Sequence, residues 1–110
     1  MATLVIFIKG VDPDGLLELS DRGHTKARPG DTIMWQIDQH SGVESITSIE
    51  GKKYSTNIFS SGPFQQGRNW KGEISSNAND NDIFLYSILW KGEEKDEVHK
   101  HDPIISIRPS

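Results

Sequence analysis

The segment Ala27-Arg-Pro-Gly-Asp-Thr-Ile-Met-Trp-Gln-Ile-Asp38 constrains the fold of this chain more than any other. Proline presets φ for the first central residue of a turn, and glycine accepts the positive φ that the second requires. Pro29-Gly30 is therefore a turn signal. Behind it, Ile33, Trp35 and Ile37 recur at every second position, the period of a half-buried strand. A tight turn feeding such a strand commits the region to a sheet with one face in a core.

Comparable runs recur along the chain. Thr3–Lys9 is β-branched and aromatic, and it ends at Gly10 and the turn Asp12-Pro-Asp-Gly15. Leu16–Leu19 stops at Ser20-Asp-Arg-Gly23, and His24–Arg28 leads into Pro29-Gly30. Val43–Ile49 alternates Val43, Ser45, Thr47 against Glu44, Ile46, Ser48. Tyr54–Phe59 is a weaker run, broken by Ser60-Ser-Gly-Pro63, and Trp70–Ser75 follows. Asp82–Trp90 is the strongest: Phe84, Tyr86, Ile88 and Trp90 share one face, Ile83, Leu85 and Leu89 the other. Apolar residues on both faces predict a central strand buried on both sides. Pro103–Arg108 closes the series with Ile105 and Ile107 inward.

Seven or eight short strands at this spacing predict an all-β sandwich or barrel with antiparallel pairing. Its expected core includes Trp35, Leu85, Tyr86, Ile88, Ile105 and Ile107. Helix formers are concentrated only in Gly92–Val98. A length of 110 residues, with no repeat or linker, predicts one domain over 1–110.

Composition narrows the function. The chain is 34% apolar and carries a net charge of −4. Its Lys and Arg residues are scattered singly, without a stripe along the sequence. Nucleic-acid binding needs clustered cations to displace counterions from phosphates, so no nucleic-acid partner is expected. There is no cysteine, which excludes disulfides, thiolate nucleophiles, zinc ribbons and iron–sulfur ligation. Leu4-Val-Ile-Phe-Ile8 is too short for a signal peptide or a membrane span. The expectation is a cytoplasmic chain with no membrane partner.

Four segments in order resemble the cupredoxins, the plastocyanin-like blue-copper sandwiches. Pro29-Gly-Asp-Thr-Ile-Met-Trp35 is similar to the family's opening Gly-Asp-Thr-Val-x-Trp strand. Phe59-Ser-Ser-Gly62, with Gly67 and Trp70–Ile74, resembles its middle block. Phe84-Leu-Tyr-Ser-Ile88 resembles its late Tyr-x-Tyr-x-Cys strand, and Ile104–Ile107 its closing strand. The likeness runs from about Ala27 to Arg108 and implies a cupredoxin-like Greek-key β-sandwich.

The chemistry departs from the family. Blue copper needs a Cys thiolate, two imidazoles and usually a thioether. The thiolate position falls at Ile88, the first imidazole position near Ser41, and no Met lies in the closing loop. A blue-copper centre is therefore excluded.

Other constellations remain. His99-Lys-His101 places two imidazoles on one face of an extended segment, a pattern that copper, nickel or zinc accepts given a third ligand. The resemblance implies that the loop after Ile37 and the loop before the last strand share an end. His40 then approaches His99 and His101, with Asp102 or Asp38 as an oxygen ligand. The bland reading is exposed polar surface. Ser76-Asn-Ala-Asn-Asp-Asn-Asp82 is oxygen-rich but lacks the order of a calcium loop, and it reads as a turn.

Trp35 and Trp90 keep company with core residues, whereas Trp70 lies between Asn69 and Lys71 and is the candidate for sugar stacking. No nucleophile elbow accompanies any serine, and the carboxylates Glu93, Glu94, Asp96 and Glu97 are interspersed with lysines. The expectation is a non-catalytic binding or interaction module. The alternative is a divalent-metal protein using His99, His101 and His40, and the third reading is a glycan-binding module. Sandwich edges and faces also make a homo-oligomer plausible.

Overall fold

A computed structural model describes residues 2–93 and 97–108. Among these residues the chain forms ten strands in two sheets and no helix. The strands are β1 (Thr3–Val11), β2 (Leu17–Leu19), β3 (His24–Ala27), β4 (Thr32–Ile37) and β5 (Val43–Gly51). They continue with β6 (Phe59–Gln66), β7 (Asn69–Ile74), β8 (Ile83–Gly92), β9 (Val98–His101) and β10 (Ile104–Ile107). One sheet has the order β2-β1-β4-β7-β6. The other has the order β3-β10-β8-β5, with β9 pairing β8 beyond β10. The chain changes sheet between β2 and β3, β3 and β4, β4 and β5, β5 and β6, and β7 and β8. These crossovers make two parallel pairs, β1 with β4 and β3 with β10, in an otherwise antiparallel structure.

The alternations that marked the strands aim the side chains as expected. Ile6 and Ile8 of β1, Ile33, Trp35 and Ile37 of β4, and Phe84, Tyr86, Ile88 and Trp90 of β8 are all buried between the sheets. Trp35 sits at the centre, edge-on to Tyr86 at 5.7 Å and tilted against Phe59 at 6.3 Å. Phe84 stacks on Tyr86 at 5.2 Å and meets Phe59 edge-on at 5.1 Å. An aromatic ring of this size removes about 150–250 Å² from water, or about 4–6 kcal/mol at ~25 cal/mol per Å². This cluster joins the two layers within one larger aliphatic and aromatic core.

Four expectations need correction. Leu85 is not core: it is 38% exposed, and Ile83 is 48% exposed, because only one face of β8 meets the opposite sheet. An apolar residue on both faces signals β-propensity as well as double burial. The strand expected over Tyr54–Phe59 is instead a turn, closed by the Ser55 N–H donating to the Lys52 carbonyl at 3.0 Å. Strand β6 begins at Phe59 and runs through Ser60-Ser-Gly-Pro63, the stretch read as a breaker. It does so by irregular pairing, with register shifts on both sides of Ser61. Gly62 has φ +84°, and a Cβ there would lie 2.8 Å from the Lys71 carbonyl, so only glycine fits. Finally, β9 is a strand the sequence reading treated as loop.

Strand β5 shows why period two failed locally. It buries Val43, Ile46 and Ile49, three residues apart each time. Two register shifts against β8, between Val43 and Ser45 and between Ile46 and Ser48, each insert a residue and rotate the next side chain inward. The free edge of β5 is then capped by side chains of the other sheet. The Trp70 indole donates to the Ile46 carbonyl at 3.1 Å, and Arg68 donates to the carbonyls of Val43 at 3.2 Å and Glu44 at 3.0 Å. An edge whose carbonyls are taken is a poor template for pairing with another chain.

Candidate functional site

At the end of the sandwich where β1 and β8 finish, the two sheets leave a cleft of about 460 Å³. Its walls come from distant parts of the sequence: Val11 and Gly15, Ser41 and Gly42, Trp90, Gly92 and Glu93, and His99. Two turns shape the rim. Asp12 closes the first, its carboxylate accepting from the Asp14 and Leu16 N–H groups at 2.9 Å each. The second spans Asp38–Gly42, where His40 has φ 67° and Gly42 has φ 84°. The Ser41 Oγ accepts from the Val43 N–H at 3.2 Å, and the Glu93 N–H donates to the Gly42 carbonyl at 3.1 Å. This ties the rim to the last turn of β8. Glycines at 15, 42 and 92 keep the opening wide.

One wall is the stacked pair of Trp90 and His99, with ring centroids 4.6 Å apart and 30° between planes. The pairing follows from register, since β8 and β9 place Trp90 opposite His99 and Ile88 opposite His101. The indole Nε1 of Trp90 is buried and has no hydrogen-bond partner. His101 sits one alternation further in, half-buried, and its Nδ1 is also buried without a partner. Burial pushes its pKa below the ordinary histidine value, against the opposing pull of the carboxylates of Asp102, Asp21 and Asp12. Burial thus favours the neutral form of the imidazole.

On the outer face of β8, the Ser87 hydroxyl donates to Asp102 Oδ1 at 2.7 Å. Lys52 Nζ lies 3.6 Å from Asp102 Oδ2. The Ser87 hydrogen bond foremost, and then the Lys52 charge, hold the Asp102 pKa below its ordinary value. No imidazole stands between Ser87 and Asp102, so this pair fastens the β9–β10 bend to β8 and is not arranged for nucleophilic attack.

Of the expected metal ligands, His99 and His101 share strand β9. The loop after Ile37 and the strand carrying His99 do share an end of the sandwich, since Ser41, Gly42 and His99 line one cleft. His40, however, is exposed and does not line it. His99 is committed to its stack on Trp90, and Asp102 to Ser87 and Lys52. Among the described residues no three His, Asp or Glu side chains lie close enough together to hold a metal ion. In the oxygen-rich loop, the Asp82 carboxylate accepts from the Asn79 N–H at 3.0 Å, as a turn requires.

The exposure expected for Trp70 is also corrected. It is only 9% exposed, facing the core with its indole spent on the β5 edge, so it has no free face for a sugar. Its polar neighbours Asn69 and Lys71 are the outward half of the alternation in β7. The carboxylates at 94 and 96 lie outside the described residues. Val11, Gly15 and Glu93 were not foreseen as cleft residues, and no local pattern marks them.

Ile88 is fully buried, and Ser41 is 6% exposed in the rim. No protein-family model matches the sequence, and no curated protein matches it. Among solved structures the chain is similar to a pseudoazurin from Sinorhizobium meliltoi, with a TM-score of 0.52 and 12% identity. The match covers 100% of this chain and 77% of that one. The fold is therefore cupredoxin-like, on a chain without cysteine.

Proposed function

We propose that this chain is a non-catalytic binding module that uses a cupredoxin-like sandwich without a blue-copper centre, and that its ligand enters the cleft over Trp90 and His99. The cleft itself carries this reading: about 460 Å³ framed by four segments, with a stacked aromatic pair as one wall. Small-molecule sites are commonly of this size, with aromatic walls and a few polar groups. Val11 and Trp90 offer apolar contact, while His99 and Glu93 offer a donor or acceptor and a charge. A small planar compound with a polar edge suits that lining. Amide-resolved NMR titration against a panel of small heteroaromatic compounds tests it. Saturable shifts at Ser41, Gly42, Gly92 and His99 are expected, and they should vanish when Gly42→Val fills the opening. Shifts confined to other surfaces, or unaltered by Gly42→Val, would refute the reading.

A second reading, binding of copper, nickel or zinc by His99, His101 and His40, has one observation in its favour. The Nδ1 of His101 is buried without a partner, and burial favours the neutral form of its ring. Titration of each metal into the protein and into the His99→Ala/His101→Ala double variant decides it. Equal, weak affinity in both would remove this reading.

A further inference from the structure

The cations that look scattered in sequence are gathered by the sheet. Strand β3 buries Thr25 and Ala27, and so turns His24, Lys26 and Arg28 outward together. Its parallel partner β10 is registered with Ser106 beside Lys26 and Ile107 beside Ala27. One step beyond that register stand Arg28 and Arg108, joined through the Arg108 N–H donating to the Ala27 carbonyl at 2.7 Å. Successive outward side chains on a strand are about 6.6 Å apart, and neighbouring strands about 4.8 Å. Lys26, Arg28 and Arg108 therefore form a compact triangle at the end of the sandwich opposite the Trp90 cleft.

All three line one cleft of about 490 Å³, together with Ala2, Leu4, Pro29 and Asp31. The single carboxylate there is already engaged. Asp31 is 6% exposed and accepts from the Ala2 N–H at 2.9 Å and the Arg28 N–H at 3.0 Å. Among the described residues none of the three cations forms an ion pair, the recorded pair being Lys52 with Asp102. Like charges on adjacent strands destabilise a sheet, and the one carboxylate lining this cleft is spent on backbone N–H groups. The concentration is unexpected in a chain of net charge −4.

We propose that this cleft binds a tetrahedral oxyanion, a phosphate or sulfate group carried on a small organic moiety. Guanidinium groups present paired N–H donors that match two oxygens of such a group, and Lys26 adds a third contact direction. Leu4 and Pro29 supply the apolar wall for the ester's organic part. A long polyanion is disfavoured, because the net negative charge of the whole molecule repels it beyond the triangle.

The test is calorimetric titration at low ionic strength with inorganic phosphate, inorganic sulfate and phenyl phosphate, on the parent and on Arg28→Gln/Arg108→Gln. Lys91→Gln, at the far end, is the charge control. Saturable binding is expected, tighter for phenyl phosphate than for the inorganic ions. Affinity should fall at least tenfold in the double variant and stay within twofold in the control. Phenyl phosphate should also raise the parent's Tm but not the double variant's. If the double variant fails to fold, Lys26→Glu supplies the same comparison. Double-variant affinity within twofold of the parent would overturn the proposal. So would a single-stranded oligonucleotide outcompeting phenyl phosphate.

Discussion

Replacing Tyr86 by phenylalanine removes one oxygen atom and is expected to cost about 1–3 kcal/mol, the usual penalty for stranding a buried hydrogen-bonding group. The Trp35 indole N–H donates to the Tyr86 hydroxyl at 3.2 Å, and both side chains are fully buried. Burial raises the phenol's pKa, so the hydroxyl is neutral across the ordinary pH range. In Tyr86→Phe the ring still stacks on Phe84 and meets Trp35 edge-on, so the apolar contacts survive. What is lost is the acceptor for a buried indole N–H. For a chain near this length each kcal/mol moves Tm by about 4–5 °C, so the midpoint should drop by about 4–15 °C. Urea unfolding followed by tryptophan fluorescence and far-UV circular dichroism measures the loss, with an unchanged m-value. The cycle with Trp35→Phe isolates the cause. Once the donor is gone, Tyr86→Phe should cost at least about 0.5 kcal/mol less than it does in the parent. A Tyr86→Phe protein within about 0.5 kcal/mol of the parent would refute the reasoning, as would a cycle with no coupling.

Three further outcomes are expected. Gly72→Ala should destabilise by about 1–3 kcal/mol in thermal melts, because its Cβ would lie 2.7 Å from a Phe59 ring that Phe84 holds in place. Arg68→Ala/Trp70→Phe uncaps the β5 carbonyls, so stability should fall by about 1–3 kcal/mol and elution on sizing chromatography should become concentration-dependent. Between pH 7 and 5, stability should decline. His101 has a folded pKa below its unfolded value near 6.5, so the unfolded chain binds the proton first and the contribution present above pH 6.5 is lost on acidification. His101→Gln should flatten that part of a stability–pH curve measured by urea titration.

Some of this was readable from local pattern. Period-two alternation is imposed by the strand itself, so Ile33, Trp35 and Ile37 announced their shared burial without any partner. The same holds for Phe84, Tyr86, Ile88 and Trp90. Leu85 was misjudged because burial of an outward face depends on whether another layer covers it. Strand β5 was misjudged in phase because its register shifts belong to its pairing with β8. Trp70 looked exposed beside polar neighbours, yet those neighbours are the solvent half of its own alternation.

By itself the sequence determined that this is an all-β chain built of short strands and that it has no thiolate. The tertiary structure alone decided which distant residues meet. It joined Val11, Ser41, Trp90, Glu93 and His99 around one cleft, and Lys26, Arg28 and Arg108 around another. Of the three histidines expected to share a metal, it set His99 alone in the lining of the first cleft. The reason is physical: alternation is a property of consecutive backbone units, whereas a site is set by strand order and register between segments tens of residues apart.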